Sequence, residues 1–204
     1  LRSLGFEIVA TGGSAEALRA AGVSVQGVEE ITRQPEILGG RVKTLSYPLF
    51  AGILYRRDEA SDRQEIAALG DLGIDVVAVN FYPFEEAIAS GKDAVEHIDI
   101  GGPSLVRAAA KNSEHVWVVT DPADYPRVLE RLKGPDSGLA ARRELAQKAW
   151  TQVARYDLAI AAHFGSALRY GENAHQNARW IGPPLWNSLT PQPLSYSNVV
   201  DISA

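Results

Sequence analysis

Of the seven residues Ile74-Asp75-Val76-Val77-Ala78-Val79-Asn80, five are apolar and four of those are consecutive. A strand with one wet face alternates apolar and polar side chains. A nearly unbroken run needs cover on both faces, as strands of a parallel sheet have when helices flank it. The neighbouring segments fit that picture. Residues 62–72 have helical spacing, and Phe81-Tyr82-Pro83-Phe84 turns the chain into a short helix over 85–90. Earlier, residues 6–10 form an apolar strand, Thr11-Gly12-Gly13-Ser14 a loop, and residues 23–28 a second strand. Ser14 is placed to cap a helix over 15–21. This strand–helix–strand order predicts an α/β fold with a mainly parallel sheet and right-handed crossovers.

Residues 116–120 (Val-Trp-Val-Val-Thr) predict another strand, and Asp121 or Asp124 a cap for the helix running to Leu132. A long helix over 139–167 follows, with Tyr156-Asp157 as its weakest point. From Leu168 on, Pro183, Pro184, Pro191 and Pro193 interrupt any long element, as in a linker or the edge of another domain. Leu1 to Gly5 reads as the last turn of a helix stopped by glycine, so preceding chain is expected.

Composition excludes several function classes. Among 204 residues, 46% are hydrophobic and 22% charged, enough for one sizeable core. The net charge of −5 argues against a broad nucleic-acid-binding surface, so an anionic ligand needs a local cluster of cations. Cysteine is absent, which rules out disulfides and thiolate metal sites. His97, His115, His163 and His175 lack metal-ligand spacing, and no metal site is expected. No apolar run is long enough for a bilayer and no signal peptide is visible, compatible with a cytoplasmic protein.

Candidate site residues fall in four segments. Ligands of parallel α/β sheets collect at the carboxyl ends of strands. Three loops belong there: Thr11-Gly12-Gly13-Ser14, whose N–H groups suit a phosphate; Asn80-Phe81-Tyr82, which offers a phenol; and residues 98–112. The last combines Asp99, the flexible pair Gly101-Gly102, Pro103 at a helix start, and Arg107 and Lys111 four apart on one helix face. In the fourth segment, Gly39-Gly40-Arg41-Val42-Lys43-Thr44-Leu45, an extended backbone would put Arg41 and Lys43 on one face. Each has a bland alternative: a tight turn, a packing aromatic or a solvated basic edge.

Taken together, Thr11 to Ser14, Gly40 to Leu45, Asn80 to Phe84 and Ile98 to Asn112 resemble, in order and spacing, the bifunctional purine-biosynthesis family. That family carries phosphoribosylaminoimidazolecarboxamide formyltransferase and IMP cyclohydrolase. The resemblance implies a cyclohydrolase domain over 1–167, with the methylglyoxal-synthase-like three-layer α/β/α fold truncated at its N-terminus. Residues 168–204 would be a linker and the start of the formyltransferase domain, since Leu168 to Gln176 and Leu194 to Asn198 resemble its opening. The family's first strand and Ser/Lys/Thr phosphate loop would precede Leu1. Its formyltransferase Lys-His pair would lie beyond Ala204. Ser46-Tyr47-Pro48-Leu49-Phe50 replaces a family segment with two histidines, and Ala174 replaces a proline.

The resemblance implies dehydrative closure of 5-formamidoimidazole-4-carboxamide ribonucleotide to IMP by a cytoplasmic homodimer. Lys43, Tyr82, Asp99 and Lys111 would be catalytic, with Lys111 holding Asp99 ionised. Thr11, Gly12, Gly13, Ser14, Arg41, Thr44, Asn80, Gly101 and Gly102 would bind the purine ribonucleotide. Arg169 and Tyr170 would touch the formyltransferase substrate. No cofactor is implied for ring closure; 10-formyltetrahydrofolate would be co-substrate of the formyltransferase. Two alternatives stay open: a non-catalytic phosphate-ligand-sensing module of the same fold, and a methylglyoxal synthase.

Overall fold

A computed structural model describes residues 1–134, 138–169, 171–173, 175–182 and 192–203. Within them the chain falls into two compact units: Leu1–Pro83 with His97–Val153, and Phe84–Glu96 with Ala154–Ala204.

The first unit opens on a 3-10 turn, Arg2–Leu4, which Gly5 closes at φ 87°, as the glycine-stopped reading expects. Strand β1 (Val9–Ala10) leads into α1 (Gly12–Ala20), and β2 (Gln26–Gly27) lies parallel to β1. Ser14 does not cap α1. Thr11 takes that position in an extended conformation, and its carbonyl accepts from the Ala15 N–H at 3.3 Å, so Ser14 falls in the first turn. Helices α2 (Val28–Thr32), α3 (Tyr47–Leu54) and α4 (Ala60–Ala68) precede β3 (Val76–Ala78). After α5 (Phe84–Ala89), which belongs to the second unit, come α6 (Gly101–Lys111) and β4 (Trp117–Val119), parallel to β3.

The strand covered on both faces is β4, not β3. In β3 Val77 is buried, Val76 half-buried and Ala78 exposed, whereas all three residues of β4 are buried. Alternation along β4 explains the difference. Val116 and Val118 enter a core with Val106 and Ala109 of α6 and with Ala149 and Val153. Trp117 and Val119 enter another with Val128 and Leu145. Helices α7 (Tyr125–Lys133) and α8 (Leu139–Phe164) supply the outer cover. The latter is one uninterrupted helix, so the weak point expected at Tyr156-Asp157 does not break it.

Asp121 caps the 3-10 turn after β4, its Oδ1 accepting from the Ala123 N–H at 2.9 Å. Lys148 of α8 donates to Asp121 at 2.6 Å and to Asp124 at 2.7 Å. Lys148 and the Ala123 N–H hold the Asp121 carboxyl below its ordinary range. A carboxyl depressed by folding stabilises the fold above its unfolded pKa, near 4, and loses that contribution as pH falls through the folded value. Lys148→Ala is therefore expected to lower the thermal midpoint at pH 7 and to cost progressively less as pH falls below about 4. A series of paired melts from pH 7 downward checks this.

In the second unit β5 (Ser166–Ala167) pairs antiparallel with β6 (Arg179–Trp180). Phe84 meets Tyr156 and His163 edge-on at 6.3 and 5.8 Å between centroids. Helix α9 (Tyr196–Ser203) begins at Ser195, whose hydroxyl accepts from the Asn198 N–H at 3.3 Å while Asn198 Oδ1 accepts from the Ser195 N–H at 3.1 Å. Among the described residues no helix is long and apolar enough to cross a membrane.

Candidate active site

Three loops of the first unit meet beside the parallel strands. Between β2 and α3 the chain makes a tight turn in which Leu38, Gly39 and Gly40 all have positive φ, at 56°, 63° and 91°. An isolated antiparallel bridge between Ile37 and Val42 closes it. The turn folds Lys43 back over Gly40, where a side chain would collide: a Cβ would lie 2.7 Å from Glu36 Oε1 and 2.8 Å from Lys43 Cε. Lys43 Nζ then pairs with Glu36 at 3.0 Å and lies 3.7 Å from where a Cβ on Gly12 would stand. Thr11, Gly12 and Lys43 so line one cavity of about 520 Å³, together with Val28, Glu29, Arg33, Gln34, Pro35 and Glu36.

The next residue, Thr44, joins this cavity's wall to the third loop. A Cβ on Gly101 would overlap Thr44 Oγ1, so the helix start can approach only because Gly101 has none. A Cβ on Gly102 would overlap the Asp99 carboxylate and lie 3.1 Å from Val79 Cγ1. Asp99 Oδ1 accepts from the Gly102 N–H at 2.9 Å. That bond fixes the carboxylate at the N-terminus of α6, a setting that favours negative charge. Asn80 lies two residues after β3 and is exposed, and Tyr82 is 65% exposed.

The other expected residues of the first unit do not line the cavity. Gly13 and Ser14 are exposed on the first turn of α1 and do not line the cavity. Arg41 does not line it either. Its backbone is helical (φ −68°, ψ −23°), so strand alternation does not put it on the face of Lys43. Lys111 ends α6, roughly 15 Å along the helix from Gly101 at 1.5 Å per residue. Arg107 lies over the Trp150 ring at 5.8 Å. Arg169 donates its backbone N–H to the Leu194 carbonyl at 2.7 Å, and Tyr170 lies outside the described residues. Sequence reasoning missed Arg33 and Glu36. Both precede the double glycine within seven residues, but no spacing pattern marks them.

Residues 1–104 match the MGS-like domain family, and residues 109–204 match the family described as AICARFT/IMPCHase bienzyme. The chain belongs to the MGS-like family and is a homologue of the PurH proteins. Across its whole length it is 45% identical to the bifunctional purine biosynthesis protein PurH of Anaeromyxobacter dehalogenans (strain 2CP-1), covering 46% of that protein. The PurH of Cyanothece sp. (strain PCC 7425) is 42% identical over all of the chain, which covers 46% of it. The chain thus spans somewhat less than half the length of these relatives. A solved structure titled as that of ForH superposes with a TM-score of 0.70 at 39% identity, covering 80% of this chain and 87% of that one. Homology and the two parallel strand pairs agree on an α/β fold.

Proposed function

We propose that the chain acts in purine biosynthesis as an IMP cyclohydrolase, closing the ring of 5-formamidoimidazole-4-carboxamide ribonucleotide with loss of water. The purine-biosynthesis role is supported by the PurH relatives and the bienzyme match. The cyclohydrolase step is supported above all by the meeting of Thr44 with Gly101, which joins the Lys43 loop to the Asp99 loop.

In this reaction the carboxamide nitrogen bonds to the formyl carbon and gives up a proton, and the formyl oxygen becomes a hydroxyl. The C–O bond then breaks, a second proton leaves the formamido nitrogen, and water departs. Asp99 takes or orients the carboxamide proton. Lys43 stabilises the oxygen that gains charge, and Tyr82 supplies a proton to it. Lys111, whose stem points back along α6 toward its N-terminus, helps polarise the substrate. Thr11 to Ser14 and Arg41 hold the 5′-phosphate side; Thr44, Asn80, Gly101 and Gly102 shape the rest. Within a longer protein of this family, Arg169 and Tyr170 would contact the substrate of formyl transfer from 10-formyltetrahydrofolate. A cytoplasmic homodimer completes the proposal.

A spectrophotometric ring-closure assay on the 204-residue chain tests it, with dihydroxyacetone phosphate as a parallel substrate. IMP formation without methylglyoxal is the expected result. Methylglyoxal would favour a lyase, and nucleotide binding with neither product a sensing module.

A further inference from the structure

The cavity beside Gly12 poses a charge problem. Its lining carries two cations, Arg33 and Lys43, and two carboxylates, Glu29 and Glu36. Lys43 is already matched by Glu36 at 3.0 Å. Arg33 carries no ion pair among the described residues, although both carboxylates line the same wall. Without Arg33 the lining would be net negative and would repel an anion.

The backbone presents Arg33 there at a cost. It terminates α2 in the left-handed region (φ 56°, ψ 27°), where a side chain is disfavoured and glycine is the usual choice. The turn is braced from inside. Thr32 is buried, and its hydroxyl accepts from the Gln34 N–H at 3.3 Å and donates to the Gln34 carbonyl at 3.4 Å. A strained residue on a braced turn, facing a cavity, points to a role for its side chain.

We propose that Arg33 is a specificity residue that clasps the ligand's 5′-phosphate against the Gly12 end of the cavity. The guanidinium fork matches phosphate geometry, and α1 adds N–H groups there. The identity of the ligand rests on the nucleotide reading above; the anion site itself does not.

Calorimetric binding of IMP, inosine and ribose 5-phosphate to the whole chain tests the assignment. Arg33→Gln is expected to weaken IMP and ribose 5-phosphate about 10- to 100-fold and leave inosine unchanged. In the ring-closure assay it should raise KM and spare kcat. Arg33→Gly separates function from folding, since it should raise the melting temperature while losing phosphate affinity. Wild-type IMP affinity in Arg33→Gln, or a wild-type chain that binds inosine as well as IMP, would overturn the inference. Phosphate-dependent binding that Arg33→Gln abolishes, in a chain that closes no ring, would keep it and sink the cyclohydrolase proposal. Ring closure with an unchanged KM in Arg33→Gln would do the reverse.

Discussion

Asp99→Asn is expected to slow ring closure about 100-fold, the scale of a lost acid–base group. Asparagine keeps the shape and the oxygen that accepts from Gly102, a bond of 2.9 Å, so the start of α6 should stay intact. Only basicity is removed, and the loss should appear in kcat with thermal stability unchanged. Lys111→Ala is expected to cost a similar factor. Because both residues act on one substrate, the double variant should lose less than the product of the two factors. A double variant that loses the full product would show that the two act in independent steps.

Trp117→Ala should be the most destabilising change in the first unit, at about 3–5 kcal/mol. The ring is 5% exposed and packs with Val128 and Leu145. It approaches Gly138, where a Cβ would overlap it, and the Arg142 guanidinium lies 5.6 Å from its centre. No small neighbour can close the resulting hole, because β4 and α8 are each held by a second core. The loss should shift the thermal midpoint by roughly 10 °C, for about 2–4 °C per kcal/mol in a chain of this size. Urea titration should show a lower midpoint with an unchanged slope.

The sequence carried the location of the four strands of the first unit and of α1, α4, α6, α7 and α8, misplaced some of their ends, and did not mark α2 or α3. Residues 23–28 look like one strand, yet only Gln26 and Gly27 find partners in β1. Apolar runs record burial, while strand ends record where a neighbour's hydrogen bonds stop. The run at 74–80 is longer than the one at 116–120, but its residue Ala78 faces outward. Which strand is central depends on helices far along the chain. Loops rich in glycine were legible as site material because close approach needs residues without side chains, and Gly101 against Thr44 is such an approach. Arg33 and Glu36 were not, because a left-handed turn and the Ile37–Val42 bridge bring them in, and neither leaves a spacing pattern.

The alternation along β4 has a last consequence. Sliding this strand by one residue against β3 would send the indole into a space shaped for valine and leave the opposite space half empty. Slippage is therefore penalised on two sides at once, and the two apolar interiors must form, and melt, as one event. The amide protons of Trp117 to Val119 should accordingly be among the last in this unit to exchange with solvent deuterium.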